Sequence, residues 1–331
     1  MNILVLNDKD VKSLLTMDEA IEAVENAFKE KNLDRVQTPL KSYLFYDKYN
    51  GDHRFMPAYL ETLNIAGVKI VNTHPENRKK HGLPTVAGII VLADPETGAI
   101  LSILEATWIT AVKTAAASAV ATRYLARENS ETLSLVGAGL QAVAHLEALA
   151  CVRNIKEVRV WSRTQETLTG FVKQMTMRRP EVKFVKAETI AEAVKDSDII
   201  VTLTPSRQPI LMGDWVENGA HINAMGADAP GKQELDPAIL KKAKVVVDDF
   251  EHCIHSGEIN MPIAQGILSR KDIYGEIGEI ILGRKPGRTS YDEVTVFAST
   301  GVAIQDIATA EVVYRKALKT GHGIEIDLTP P

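Results

Sequence analysis

The sequence predicts an α/β protein with two domains, one built on a parallel sheet and the other on an antiparallel sheet. Its 331 residues are more than one typical domain requires. Residues 41–101 contain short β-rich runs separated by turn residues, which is typical of an antiparallel sheet. After residue 130, apolar strand patterns alternate with helical patterns, and this alternation indicates a parallel sheet.

The first part of the chain contains two helix signals with strand signals between them. Thr16 precedes an amphipathic segment with acidic residues in its first turn, which predicts a capped helix. Residues 110–126 are rich in alanine and contain neither Gly nor Pro, so we expect a long helix that contains or adjoins the domain boundary. The predicted strands between these helices cover residues 42–46, 67–71 and 87–92.

The later part of the chain predicts the parallel sheet and a final helix. Apolar residues at helical spacing predict a helix over residues 303–318, which we expect to return to the first domain. The predicted strands of the parallel sheet cover residues 132–136, 157–161, 199–203, 221–224, 245–247 and 294–297.

Composition argues against several classes of protein. The formal net charge is −5 and the basic residues are scattered, so we expect no nucleic-acid partner. No apolar run approaches the roughly 18 residues of a membrane span. Cys151 and Cys253 are the only cysteines and the N-terminus has no leader pattern, which favours a cytoplasmic location. His252, Cys253 and His255 lack a second Cys/His pair at useful spacing, so we expect no metal site.

Residues 133–142 predict a strand that opens through glycines directly into a helix. Gly137 permits a tight turn, Gly139 lets backbone N–H groups approach a pyrophosphate, and Ala142 allows close helix–strand packing. This context indicates a Rossmann domain that binds a nicotinamide dinucleotide and uses it for hydride transfer. The residues expected to contact the cofactor here are Gly137, Ala138, Gly139, Gln141 and Ala142.

The second strand of this domain ends at Ser162, Arg163 and Thr164, without the acidic residue that often binds a ribose 2′-hydroxyl. A guanidinium binds phosphate oxygens in a bidentate manner, so Arg163 and the two hydroxyls can hold a 2′-phosphate. The sequence therefore favours NADP(H). NAD(H) is accepted without selection if Arg163 is a solvated loop residue.

An acidic residue follows a later apolar strand, in the run Met225-Gly226-Ala227-Asp228. Strand ends of parallel sheets carry ligands, so we expect Thr204, Met225, Gly226 and Asp228 to face the cofactor. By residue type alone, Asp228 is either a turn-forming aspartate or a catalytic carboxylate.

The run from Gly226 to Glu234, Gly-Ala-Asp-Ala-Pro-Gly-Lys-Gln-Glu, resembles the signature of the ornithine cyclodeaminase and μ-crystallin family. The resemblance covers essentially the whole chain. It implies a doubly wound Rossmann parallel sheet, residues 119–304, inserted into a second, α+β domain for substrate binding and dimerisation, residues 1–118 plus 305–331. It also implies a homodimer. Further matching runs cover residues 67–77, 82–85, 113–116, 247–249 and 299–301.

The same resemblance assigns roles to individual residues. Asp228 resembles the catalytic carboxylate near the reacting C–N bond, where it stabilises an iminium or activates water. Lys69 resembles the residue that meets the substrate, and a desolvated ammonium can both bind a carboxylate and donate a proton. Lys41 and Arg54 resemble further cations around the substrate carboxylate. Lys113 replaces the arginine usual in the family, so a point charge takes the place of bidentate recognition.

Arg54 distinguishes between the reactions of the family. Cyclodeaminases that handle a side-chain amine carry glutamate at this position before Met56-Pro57, whereas a cation repels the second amino group of ornithine. The chain instead resembles the archaeal alanine dehydrogenase branch, which shares Lys41 and Arg54. The expected substrate is therefore a small amino acid, 2-oxo acid or imine.

The leading reaction under this interpretation is reductive amination of a 2-oxo acid such as pyruvate, or its reverse. Reduction of a cyclic imine such as pyrroline-2-carboxylate to proline uses the same hydride transfer to an imine carbon that bears a carboxylate, and the residues do not separate the two reactions. The alternatives are ornithine cyclodeamination with catalytic NAD and a non-catalytic, crystallin-like protein that binds NADPH or another ligand.

Overall fold

The computed structural model describes residues 2–328. In chain order, the strands within this range are β1 (Asn2–Leu6), β2 (Val36–Gln37), β3 (Ser42–Tyr46), β4 (Gly51–Leu60), β5 (Ile65–Thr73), β6 (Val86–Ala93), β7 (Ile100–Glu105), β8 (Thr132–Val136), β9 (Glu157–Trp161), β10 (Lys183–Lys186), β11 (Ile199–Thr202), β12 (Arg207–Leu211), β13 (His221–Ala224), β14 (Gln233–Leu235), β15 (Lys244–Val247), β16 (Gly275–Glu276), β17 (Thr295–Ala298) and β18 (Ile324–Asp327). The α-helices are α1 (Asp8–Leu14), α2 (Met17–Asn32), α3 (Asn77–His81), α4 (Thr107–Leu125), α5 (Leu140–Val152), α6 (Gln165–Arg178), α7 (Ile190–Val194), α8 (Pro237–Lys242), α9 (Phe250–Ser256), α10 (Asn260–Ala264), α11 (Ile277–Ile281) and α12 (Ala303–Thr320).

The chain divides into two compact units. The first unit ends at Lys113 and resumes at Val302, and the second unit runs from Thr114 to Gly301. The boundary between Lys113 and Thr114 therefore falls inside α4, the helix predicted to contain or adjoin the domain boundary. Helix α12 belongs to the first unit, as expected. The boundaries predicted from the sequence, after residues 118 and 304, stay a prediction for the functional domains.

The first unit is built on a sheet with the order β18-β1-β7-β6-β5-β4-β2, to which β3 adds on β4. Its strands from β3 to β7 pair antiparallel, as predicted from residues 41–101. The sequence analysis named no strand at β2, β4 or β7, and it also missed β18 and β1, which pairs parallel to β7. Thr16 caps α2 through a reciprocal capping box with Glu19, which confirms the predicted start of that helix.

The two faces of this sheet differ in what covers them. Along β5, the residues Gly67, Lys69 and Val71 share one face because side chains alternate along a strand. Helix α12 packs on this face, against β4, β5 and β6. A Cβ atom at Gly67 would lie 2.8 Å from Ile307 Cδ1 of α12, so glycine permits this close approach. The opposite face carries a row of partly exposed apolar residues: Pro57, Val68, Val91 and Ile103.

The second unit is built on a parallel sheet with the order β10-β9-β8-β11-β13-β17-β15-β16. The six strands predicted from the sequence match the observed ones to within a residue or two, and the side chains of β8, β11, β13, β15 and β17 are almost all buried. The strand order reverses between β8 and β11, which is the doubly wound arrangement predicted from the sequence. The sequence analysis missed β10, β16 and the small parallel pair of β12 with β14. Within residues 2–328, no helix combines the length and the apolar character needed to cross a bilayer.

Candidate active site

A glycine turn connects β8 to α5 at the edge of the second unit's sheet. Gly137 adopts φ of +122°, a conformation that L side chains rarely take. A Cβ atom there would also lie 3.1 Å from the carbonyl oxygen of Leu203, which follows β11. The Gly137 N–H donates to the Trp161 carbonyl at 2.9 Å. This turn therefore requires glycine for conformation and for space.

Gly139 is the N-cap residue of α5, a helix of 13 residues. Among the described residues no side chain caps this helix, and no atom lies within 4 Å of a Cβ built on Gly139. The first-turn N–H groups of a helix are unsatisfied donors at the positive end of its dipole. Gln141 Oε1 is also buried without a hydrogen-bond partner in the described range, and Ala142 is fully buried. This turn has the donors and the space that an anion such as a pyrophosphate requires.

A cavity of about 290 Å³ opens beside the glycine turn. It lies at the carboxyl ends of β8, β9 and β11, where the strand order reverses, which is the usual ligand position in open α/β sheets. Arg163 is an exposed residue of its wall, so its guanidinium is available to a ligand in the cavity. The residues that line the cavity are Gly137, Trp161, Ser162, Arg163, Thr164, Leu203, Thr204, Pro205, Ser206 and Ile210.

Glu234 holds two of the strand-end loops together. Its Oε1 accepts hydrogen bonds of 2.7 Å from both the backbone N–H and the hydroxyl of Thr204, and its Oε2 accepts from the Gly226 N–H at 2.9 Å. A side chain at Gly226 would overlap this carboxylate and the Thr204 carbonyl. Burial raises the pKa of Glu234. Burial, followed by the charge of Glu234, raises the pKa of the neighbouring Glu258 well above its usual range.

Asp228 lies in the loop after β13, two residues beyond Gly226. Its N–H donates to the Gly226 carbonyl at 3.1 Å, and its carboxylate forms an ion pair with Lys232. The Asp228 side chain keeps 37% of its surface exposed, and the preceding Met225 is buried. Asp228 therefore stabilises a turn and also presents a carboxylate at the carboxyl end of the sheet.

The first unit contains a buried set of charged side chains, here called the cation cluster: Arg54, Lys69, Lys113, Asp52 and Asp306. Lys69 Nζ lies 2.8 Å from Asp306 Oδ1, and Lys113 Nζ lies 3.4 Å from Asp306 Oδ2. Asp306 is fully buried, and the two lysines expose only 3% and 2% of their surface. Buried charges are tolerated in proteins when they are paired in this way.

The third cation of the cluster is on β4. Arg54 Nε and Nη2 donate to the two carboxylate oxygens of Asp52, at 2.9 and 3.3 Å. The Arg54 guanidinium also lies 5.7 Å from the centre of the Tyr43 ring, within the range of a cation–π contact. The Arg54 side chain lies on the same face of the sheet as that of Lys69. Arg54 pairs with Val71, which shares its face of β5 with Lys69.

The pKa of Lys69 is lowered to about 8, and burial is the largest cause. The charge of Asp306 opposes burial and raises the pKa, whereas the charges of Lys113 and Arg54 act with burial and lower it. Lys69 therefore exchanges its proton near neutral pH, which suits a group that donates a proton in a reaction.

Gln305 completes the surroundings of Lys113. Lys113 Nζ donates to Gln305 Oε1 at 3.0 Å, and Gln305 Nε2 is buried without a partner in the described range.

Lys41 lies just before β3 and is partly exposed. The catalytic, substrate-binding and cofactor-binding roles of all these residues stay predictions.

The segment considered for a metal has the wrong chemistry for one. Cys253 is buried with its Sγ 3.1 Å from Asp248 Oδ1, and burial together with that carboxylate raises the pKa of the thiol well above its usual range. A thiol that keeps its proton is a poor metal ligand. His255 is exposed. Within residues 2–328 no group of three or more His, Cys, Asp or Glu residues has a geometry that could hold a metal ion.

Sequence reasoning missed four charged or polar residues of these sites: Asp52, Glu234, Gln305 and Asp306. Glu234 stands at the end of the signature run, so its position was visible although its hydrogen bonds were not. Asp306 lies in the first turn of α12, where an acidic residue is ordinary and predicts no partner. Its pairing with Lys69 spans 237 residues of chain.

Known proteins resemble the chain over its whole length. The model of the ornithine cyclodeaminase/mu-crystallin family matches residues 1–321. Alanine dehydrogenase of Archaeoglobus fulgidus is 46% identical over 326 residues, or 98% of each chain. An archaeal alanine dehydrogenase dimer with bound NAD matches with a TM-score of 0.94 and 46% identity, over 99% of this chain and 100% of that one. Thermococcus litoralis Δ1-pyrroline-2-carboxylate reductase, in complex with NADH and L-proline, matches with a TM-score of 0.94 and 39% identity, over 97% and 99% of the two chains. The chain therefore belongs to the ornithine cyclodeaminase/mu-crystallin family.

Proposed function

We propose that the chain is an NAD(P)-dependent oxidoreductase that acts on the C–N bond of a small L-amino acid or its imine. The observation that carries the proposal is the cation cluster, in which three buried cations face two carboxylates. The relatives support the same chemistry, since they are named as an alanine dehydrogenase and a pyrroline-2-carboxylate reductase.

The second unit fits a nicotinamide dinucleotide. The uncapped N-terminus of α5 offers N–H donors for the pyrophosphate, and Gly137 and Gly139 leave room for it. When bound, the dinucleotide supplies or accepts the hydride. The two solved relatives contain NAD and NADH. For this chain we propose a preference for NADP(H), because Arg163 and the hydroxyls of Ser162 and Thr164 line the cavity and no acidic residue does.

The cation cluster fits a substrate with one carboxylate. With Lys69 protonated, the cluster has an excess of one positive charge in a buried setting, which a single carboxylate neutralises. A substrate with a second ammonium group, such as ornithine, would add an uncompensated charge near Arg54. We therefore favour pyruvate with ammonia, and pyrroline-2-carboxylate, over ornithine. Lys41 is a further cation for the same carboxylate.

Lys69 and Asp228 are the proposed catalytic residues. The Lys69 ammonium, with its pKa of about 8, donates a proton to the imine nitrogen. The Asp228 carboxylate stabilises the iminium that results. Lys113 binds the substrate carboxylate as a point charge, without the bidentate geometry of an arginine.

We also propose a homodimer formed through the first unit. The sheet face opposite α12 carries the partly exposed row Pro57, Val68, Val91 and Ile103, and a contiguous apolar surface of this kind marks an interface. The archaeal alanine dehydrogenase was solved as a dimer. A cytoplasmic location stays part of the proposal.

The first prediction concerns the substrate. NADH or NADPH absorbance should fall with pyruvate plus ammonia or with pyrroline-2-carboxylate, and Asp228→Asn should lower kcat/KM by about 10²- to 10⁴-fold because the charge that stabilises the iminium is lost. Asp214→Asn, the same change at an exposed position of the same unit, should keep wild-type activity.

Ornithine is the decisive third substrate in that assay. Release of ammonia and proline from ornithine without net use of NADH would mean that the interpretation of Arg54 is wrong. Binding of NADPH with no turnover of any of the three substrates would favour the non-catalytic protein.

The second prediction concerns the cofactor. Arg163→Ala should raise the KM for NADPH about tenfold or more and leave the KM for NADH within about twofold, because a charge-assisted hydrogen bond contributes roughly 1.5–3 kcal/mol. Arg178→Ala, at the other end of α6, should change neither value. A wild-type preference for NADH, unaffected by Arg163→Ala, would remove the 2′-phosphate site from the account.

The third prediction concerns Glu234. In Glu234→Gln an amide NH2 replaces one acceptor oxygen, so the N–H of Thr204 or Gly226 faces another donor, at a cost of about 1–3 kcal/mol. We expect the Kd for NADH, measured by fluorescence quenching, to rise about fivefold or more. Glu217→Gln, at an exposed position, is the matched control. A wild-type Kd in Glu234→Gln would show that the two loops keep their geometry without this carboxylate.

A further inference from the structure

In the first unit, one carboxylate forms ion pairs with two lysines. Asp306 Oδ1 lies 2.8 Å from Lys69 Nζ, and Asp306 Oδ2 lies 3.4 Å from Lys113 Nζ. Oδ2 accepts no hydrogen bond among the described residues, so its contact with Lys113 is purely ionic. The Lys69–Asp306 contact is, in contrast, both a hydrogen bond and an ion pair.

The charged groups that face Lys69 come from three elements. Asp306 on α12 favours the ammonium, and Lys113 on α4 and Arg54 on β4 disfavour it. Burial disfavours it as well. Asp306 is therefore the one group of this set that keeps the proton on Lys69.

We infer that Asp306 is the positioning residue for Lys69, which it orients and keeps protonated, and that it thereby sets the alkaline limit of imine reduction. The effect on the pH dependence of imine reduction rests on the proposed function. The effect of Asp306 on the protonation of Lys69 does not. Asp306 acts through Lys69 and is not itself proposed to touch the substrate.

The proton balance of the reaction explains why this matters. Lys69 gives one proton to the imine nitrogen, the hydride adds to the imine carbon, and the electron pair of the C–N double bond becomes the lone pair of the amine. Neutral Lys69 then regains its proton from water. Reduction therefore requires the ammonium form, which is lost as the pH rises through the Lys69 pKa of about 8.

NMR titration of the lysine ¹³Cε resonances tests the electrostatic part directly. The Lys69 resonance is assigned by its loss in Lys69→Arg. Its midpoint should lie near pH 8 in the wild type. In Asp306→Asn it should fall by about 1 to 3 pH units, the usual effect of losing a close opposite charge. In Asp306→Glu, which keeps the charge, it should stay within about half a unit of the wild type.

Lys113→Met should shift the titration midpoint of Lys69 in the direction opposite to Asp306→Asn. Removing the like charge should raise the Lys69 midpoint, because Lys113 lowers the pKa and no longer shares the carboxylate. If Asp306 only held the packing together, Asp306→Asn would admit water and the midpoint would rise towards that of a free lysine. A rise or no change in Asp306→Asn overturns the inference. If that variant does not fold, an unchanged midpoint in Lys113→Met overturns it.

The kinetic readout is the pH profile of kcat/KM for imine reduction. The alkaline limb should move to lower pH in Asp306→Asn by the same shift as the NMR midpoint, and Asp306→Glu should restore it. If the wild type reduces no imine, the proposed function fails while the NMR titration still decides the role of Asp306. If the wild type is active and the limb does not move, the inference fails while the proposed function stands.

Discussion

The pairing of Lys69 with Asp306 is the constraint on which the arrangement of the first unit depends. Lys69 on β5 and Lys113 on α4 are both buried and require a carboxylate, and removing one partner of a buried pair usually costs about 3–5 kcal/mol. That carboxylate comes from α12, so the last helix of the chain must return to the first sheet. Gly67 favours this packing, because a Cβ atom there would lie 2.5 Å from the Val91 carbonyl oxygen and 2.8 Å from Ile307 Cδ1.

In the second unit, a buried carboxylate pairs with backbone N–H groups of the strand-end loops. Glu234 accepts hydrogen bonds from the N–H groups of Thr204 and Gly226, whereas no side chain accepts from the N-terminal N–H groups of α5 among the described residues. Side-chain acceptors thus fix the loops, and the unsatisfied donors stay available for an anion. In the proposed function, the first unit offers cations for a substrate carboxylate, and the second unit offers helix N–H groups for a dinucleotide.

Most of the fold could be predicted because its signals are local. The apolar strand patterns that alternate with helical patterns predicted the parallel sheet, and the positive φ of Gly137 is a property of one residue in one turn. Some of the strands that were missed are only two residues long, such as β16, or rich in charge, such as β10, which reads Lys-Phe-Val-Lys. The partners of Lys69 could not be predicted, because a polar residue in the first turn of α12 has no local signature of its tertiary contact. Lys113 and Arg54 were named through family resemblance, and their geometry became visible only in the structure.

Tracing the hydride tests the central claim most directly. The protein would be incubated with NADH that carries deuterium at both C4 positions of the nicotinamide, together with pyrroline-2-carboxylate or pyruvate and ammonia. The proline or alanine formed would be analysed by mass spectrometry and NMR. The account predicts one deuterium on the α-carbon of the product, with one NADH oxidised for each product molecule. Product without deuterium, or proline formed only from ornithine without net oxidation of NADH, would contradict it.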